Sequence, residues 1–205
     1  VDFLHKHNVC HFDVSLENFV INNPDIQEVE TLFRDPQTGS IAVTKRHIRF
    51  ALLGLQCKLI DFGLSSKFVA KTKSMSTVSF KTTKVCGKQF YMAPEMYHSN
   101  VENGTLVAPF DARANDIFGL AVCLFMLSVG NPPWNRAKST DPLFVHILNG
   151  NMAHVLRAWN KEHYVDETLM NLLSSMFQYE SNRVSLSAVK QHAWLALSSS
   201  SHNGN

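Results

Sequence analysis

The chain has 205 residues, 45% of them hydrophobic and 18% charged, with a formal charge of +2. That length makes one domain, or two small ones, with a sizeable core, and the composition excludes a chain that is disordered or coiled-coil throughout. So small a basic surplus gives no reason to make nucleic acid or an anionic membrane the main partner. Cys10, Cys57, Cys86 and Cys123 lie too far apart in sequence for the close pairs usual in structural zinc sites. A disulfide scaffold would be shorter and denser in cysteine, so the expectation is reduced thiols in a cytoplasmic or nuclear protein.

Residues 1–8 read as the last turns of a helix that Asn8 stops. Val1, rather than Met, opens the chain inside an apolar segment, so a fragment of a larger protein is expected. No basic-then-apolar leader is visible there. Phe19–Ile21 is a short β-type run. Residues 22–56 carry acids early (Asp25, Glu28, Glu30) and bases late (Lys45, Arg46, Arg49). Two possible strands, 31–34 and 41–44, flank the turn residues Asp35-Pro36-Gln37-Thr38-Gly39. Residues 58–60 form another short strand. Residues 65–85 are rich in Ser, Thr and Lys without periodicity, which predicts a mobile loop.

From Asp111 onward the pattern is helical. Asn115 or Asp116 can cap an apolar helix over 117–129, which Asn131-Pro132-Pro133 stops. That apolar run is too short for a bilayer and reads as a buried core helix. Two helices follow at 143–148 and 152–159, parted by Asn149-Gly150-Asn151. Asp166 caps an amphipathic helix with Leu169, Leu172, Leu173 and Met176 on one face, more core than partner surface. Ser185 opens a last helix to about Leu195, and the serine-rich tail 198–205 is expected to be disordered. Few strands early and many helices late make the fold mainly α (α+β).

Three segments carry chemistry: His11-Phe12-Asp13-Val14-Ser15-Leu16-Glu17-Asn18, then Asp61-Phe62-Gly63, then Ala93-Pro94-Glu95 preceded by Cys86-Gly87 and Tyr91-Met92. Each alone is weak. In this order and spacing they resemble the catalytic loop, metal-binding loop and activation-segment end of eukaryotic protein kinases. The resemblance continues through Asp116-Ile117-Phe118, Asn131-Pro132-Pro133-Trp134 and Arg183. It implies a kinase C-terminal lobe over 1–197, with 22–56 inserted between two short strands and 61–95 as the activation segment. Leu16-Glu17-Asn18 and the Gly87 to Glu95 stretch resemble the Ser/Thr, calmodulin-dependent-like branch.

The implied reaction is transfer of the ATP γ-phosphate to a hydroxyl of a protein substrate with Mg²⁺. Such chemistry needs positioning and charge neutralisation more than covalent steps, and Mg²⁺ takes oxygen ligands. By resemblance Asp13 is the base, and Asn18 and Asp61 hold Mg²⁺ and through it the nucleotide. His11 would pack near Phe62, Glu95 would pair with Arg183, and Asp116 would hold the catalytic-loop backbone from below.

Four departures bear on function. Phe12 stands where many kinases carry the Arg that receives an activation-loop phosphate, so phosphorylation within 65–83 is a weaker candidate for the on switch. Ser15 stands where Ser/Thr kinases carry Lys, and Lys88 where they carry Thr, positions that touch in the family. Lys88 can reach back and restore the cation beside Asp13 and the γ-phosphate, or it can point to solvent. Lastly, no Gly-x-Gly-x-x-Gly occurs in the chain, and the N-terminal lobe with its phosphate-binding Lys is expected to lie in the parent protein. These residues alone are then expected to be inactive. A second class remains open: a pseudokinase or scaffold lobe that binds proteins without catalysis. Ser15 and the missing lobe favour it; Asp13, Asn18 and Asp61 oppose it.

Overall fold

Asp111 begins the central helix of the molecule. Its backbone is extended, and its carboxylate accepts from the Arg113 amide at 2.9 Å, which satisfies an orphan donor of the first turn. The helix, α3, then runs Ala112–Val129, after short helices α1 (Asp2–Lys6) and α2 (Glu95–His98), and ends on Gly130 at φ 83°. This corrects the expectation that Asn115 or Asp116 would be the cap. Both lie inside α3 and are buried, where they hold neighbouring loops instead. By length and composition α3 could cross a membrane, but 61% of it is buried within the protein, as in the core helix of a folded domain. The computed structural model describes residues 1–22, 27–34, 41–49, 56–70, 78–98, 101–102, 105–106 and 108–200.

The described chain forms two units, Val1–Leu16 with Asp61–Asn205, and Glu17–Ile60. In the first, α4 (Pro142–Leu148), α5 (Met152–Ala158) and α6 (Glu167–Met176) follow α3. Asp141 caps α4 by accepting from the Leu143 and Phe144 amides, and Asp166 caps α6 by accepting from the Leu169 amide. The face Leu169, Leu172, Leu173 and Met176 is buried. Trp134, from the turn after α3, packs at ring-centroid distances of 5.5, 5.1 and 4.8 Å from Phe118, Phe144 and Phe177. Its indole N–H donates to the Phe90 carbonyl at 3.2 Å, so the core also fixes the loop before α2.

Two further expectations need correction. The stretch after Ser185 is two helices, α7 (Leu186–Lys190) and α8 (Ala193–Ser200), because His192 interrupts the turn and its Nδ1 accepts from the Trp194 amide. Helix α8 therefore enters the segment expected to be disordered, whose last residues, 201–205, lie outside the described ones. The segment 65–85 is anchored at both ends. Ser66–Lys67 pairs antiparallel with Val9–Cys10, and Lys81–Thr82 with Phe110–Asp111. Such two-residue strands are too short to leave a periodicity. The part between them, 71–77, lies outside the described residues.

In the second unit, Phe19–Asn22 pairs antiparallel with Gln56–Leu59, Phe19 opposite Leu59 and Asn22 opposite Gln56. Between them, Gln27–Arg34 pairs antiparallel with Ile41–Arg49, both longer than the two strands expected. Glu30 lies opposite Arg46, while Glu28 faces Ile48 and Arg49 faces Gln27, so one acid of the early group meets a late base; the register shifts between Thr31 and Leu32. The turn expected at Asp35 to Gly39 lies outside the described residues.

Candidate active site

The loop 11–16 is held from beneath by one buried carboxylate. Asp116 Oδ2 accepts from the His11 amide at 2.8 Å and lies 2.9 Å from His5 Nε2, while Oδ1 accepts from the Phe12 amide at 2.9 Å. A carboxylate with several N–H donors is satisfied in an apolar interior, where a lone one would be costly. These bonds also hold Phe12 at φ 68°, a conformation a bulky side chain rarely adopts. Gly119 lets α3 approach the loop closely: a Cβ there would lie 2.7 Å from the Val14 carbonyl oxygen.

The segment before α2 closes on the same loop from the other side. Gly87 has φ 108°, and a Cβ on it would meet the Phe12 carbonyl oxygen at 2.6 Å, so only glycine fits. That approach delivers Lys88. Its amide donates to Asp13 Oδ1 at 3.2 Å, and its ammonium donates to Asp13 Oδ2 at 3.0 Å and to Ser15 Oγ at 2.8 Å. Of the two orientations open to Lys88, the structure holds the one turned inward. Tyr91 adds a further tie, its hydroxyl accepting from the Leu16 amide at 3.4 Å.

His11 and Phe62 meet edge-on with centroids 5.2 Å apart, which joins the loop 11–16 to the Asp61 loop. Asp61 is exposed, stands at φ 62° and accepts from the Gly63 amide at 3.1 Å. It lies in the first unit with Asp13, Ser15 and Lys88. Asn18 belongs to the second unit, buried at the end of a 3-10 turn, with its carbonyl accepting from the Ile60 amide at 2.8 Å. Oxygen donors of these kinds, a carboxylate and an amide, suit Mg²⁺.

Glu95 and Arg183 form a two-pronged pair at 2.6 and 2.9 Å. The guanidinium spends its other donors on the Ala114 and Gln178 carbonyls, so each of its five N–H groups has a partner. Several supporting residues escaped the sequence reading. Asn115 accepts from the Ala93 amide at 3.2 Å and so holds the Ala93-Pro94-Glu95 turn against α3. His5, Cys10 and Asp116 converge within 4.8 Å of one another, a metal-like grouping. Both Asp116 oxygens there already accept loop amides, and His5 Nε2 lies 2.9 Å from one of them, so Asp116 and His5 brace the loop by hydrogen bonds.

The protein kinase domain family matches residues 1–195. Serine/threonine-protein kinase CHK1 of Saccharomyces cerevisiae is 33% identical over 139 residues, 67% of this chain and 24% of that protein. Calcium-dependent protein kinase 4 of Plasmodium berghei is 24% identical over 206 residues, 100% of this chain and 30% of that protein. The SNF-related serine/threonine-protein kinase of Homo sapiens is 32% identical over 139 residues, 67% of this chain and 15% of that protein. The chain thus spans less than a third of each of these relatives. A loop braced on a buried α3 carboxylate and a match along nearly the whole chain lead to one assignment: this chain belongs to the eukaryotic protein kinase family.

Proposed function

We propose that the protein transfers the γ-phosphate of ATP to a serine or threonine hydroxyl of a protein substrate, with these residues as the C-terminal lobe and 22–56 as an insertion in it. The observation that carries the reading is the contact of Lys88 with both Asp13 and Ser15. Asp13 takes the proton of the attacking hydroxyl as its oxygen bonds to the γ-phosphorus; the bond from that phosphorus to the departing ADP oxygen breaks, and ADP leaves with the electron pair. Lys88 lies against the base and supplies the positive charge that Ser15 lacks, beside the phosphoryl group in transit. Asp61 would offer its carboxylate to Mg²⁺, and the resemblance assigns Asn18 an amide oxygen in the same role. When bound, Mg²⁺ neutralises phosphate charge and orients the nucleotide.

The chain holds no Gly-x-Gly-x-x-Gly loop, so we take the grip on the phosphates to come from further parts of the parent protein, and expect the 205 residues alone to transfer little phosphate. The test uses the full-length protein with radiolabelled ATP, Mg²⁺ and mixed Ser/Thr peptides. Label should reach peptide, and Asp13→Asn should cut the rate by about 10²–10⁴-fold. A folded full-length protein that transfers nothing would overturn the reading in favour of a pseudokinase or binding lobe.

A further inference from the structure

We propose that Lys84 is a positioning residue, a fixed cation that holds the activation segment and the catalytic loop in register without an added phosphate. The proposal rests on the kinase reading for its consequence in catalysis and on geometry for everything else. The Lys84 ammonium donates to the Leu64 carbonyl and, at 3.0 Å, to Ser66 Oγ. It also lies 4.8 Å from the centroid of the Phe12 ring. One charge therefore joins three pieces of chain: the loop after Asp61, the catalytic-loop residue next to Asp13, and the segment that carries Gly87 and Lys88.

The ring beneath it is a firm seat. Phe12 is buried in a cluster with Cys10, Phe80, Met96, Phe110 and Ala112, with Phe68 packed alongside. An ammonium over an aromatic face is attracted by the ring quadrupole, more strongly where water is excluded. The neighbouring lysines are engaged elsewhere, Lys81 with Glu180 and Lys88 with Asp13 and Ser15. Lys84 is the cation whose contacts here are a carbonyl, a hydroxyl and a ring, all neutral. These partners are present in the unmodified chain, so the bracing does not wait for a phosphate. An Arg at position 12 would place a second cation against Lys84; the phenyl ring accepts it instead.

Two readouts on the full-length protein decide the matter. In hydrogen exchange, Lys84→Met should raise exchange about tenfold in 9–16 and 62–68 and leave Ala112–Val129 unchanged, while Lys84→Arg keeps the wild-type pattern. In turnover, Lys84→Met should lower kcat about tenfold with little change in the peptide KM, again rescued by Arg. Phosphatase treatment of the wild type should alter neither exchange in these segments nor rate. Wild-type exchange in Lys84→Met, or loss of protection after phosphatase, would overturn the proposal. The exchange measurement stands even if no phosphate transfer is ever seen, so failure of the kinase reading and failure of this one are told apart. If Lys84→Met does not fold, Lys84→Gln, neutral but still a donor, is read the same way.

Discussion

Removing the Lys88 ammonium tests the site most directly. Nζ lies 3.0 Å from Asp13 Oδ2. Two full charges at that separation attract by about 5 kcal/mol at an effective dielectric near 20. The Lys88 side chain is 39% exposed and that of Asp13 only 9%, so one side of the pair sees solvent. Screening brings the usable part down to about 1–2 kcal/mol. If the ammonium meets the charge of the phosphoryl group in transit with a similar screened attraction, that is about five- to thirtyfold in kcat. The variant is Lys88→Met in the full-length protein, which keeps the apolar stem, assayed by steady-state peptide phosphorylation. We expect kcat to fall by that factor with little change in either KM, the pattern of an interaction made in the transition state. The double variant Ser15→Lys with Lys88→Thr returns each residue to the family's usual place and should recover most of the loss. Ser15→Lys alone sets two ammonium groups together and should do worse than wild type. An unchanged kcat in Lys88→Met, or a double variant no better than Lys88→Thr, would sink the exchange.

Three other outcomes are expected. Arg183→Met leaves Glu95 without its partner in a nearly buried site, where the side chains are 1% and 10% exposed, and should cost about 3–5 kcal/mol in urea unfolding. Gly87→Ala must push its Cβ away from the Phe12 carbonyl oxygen, now 2.6 Å from where that atom would sit, so turnover should drop while the melting temperature falls by only a few degrees. Burial tends to raise the Asp111 carboxyl, but the Arg113 hydrogen bonds and charge, with help from Lys81, hold it below its ordinary value. Its contribution is therefore present above the ordinary carboxylate pKa of about 4 and is lost as pH falls through the lower folded value. The stability gap between wild type and Asp111→Asn, read by circular dichroism, should be full at neutral pH and shrink in acid below about pH 4.

Much of the helical body was legible because its signals are local. Asp166 lies three residues before the amide it caps, and the stripe Leu169, Leu172, Leu173 and Met176 advertises its buried face by spacing alone. The true start of α3 was missed because Asn115 and Asp116, the caps expected, and Asp111, the cap observed, are all residues of a capping type within a six-residue stretch. Extended backbone at Asp111 selects it, and the other two are drawn inward by loops that need acceptors. The pairs at Ser66–Lys67 and Lys81–Thr82 have partners about thirty to sixty residues away and no pattern of their own.

The chemistry divides in the same way. The motifs and the family resemblance they carry sufficed to nominate Asp13, Asn18 and Asp61 and to mark Ser15 and Lys88 as departures from the family's pattern. They could not say where Lys88 points. That depends on Gly87 passing within contact of the Phe12 carbonyl, which brings Lys88 to Ser15 across 73 residues of sequence. They were equally silent on Lys84, whose ring, hydroxyl and carbonyl partners come from two other stretches of chain. Composition and local pattern act through backbone preferences a few residues long. The direction of a flexible lysine is decided by what packing carries to its tip.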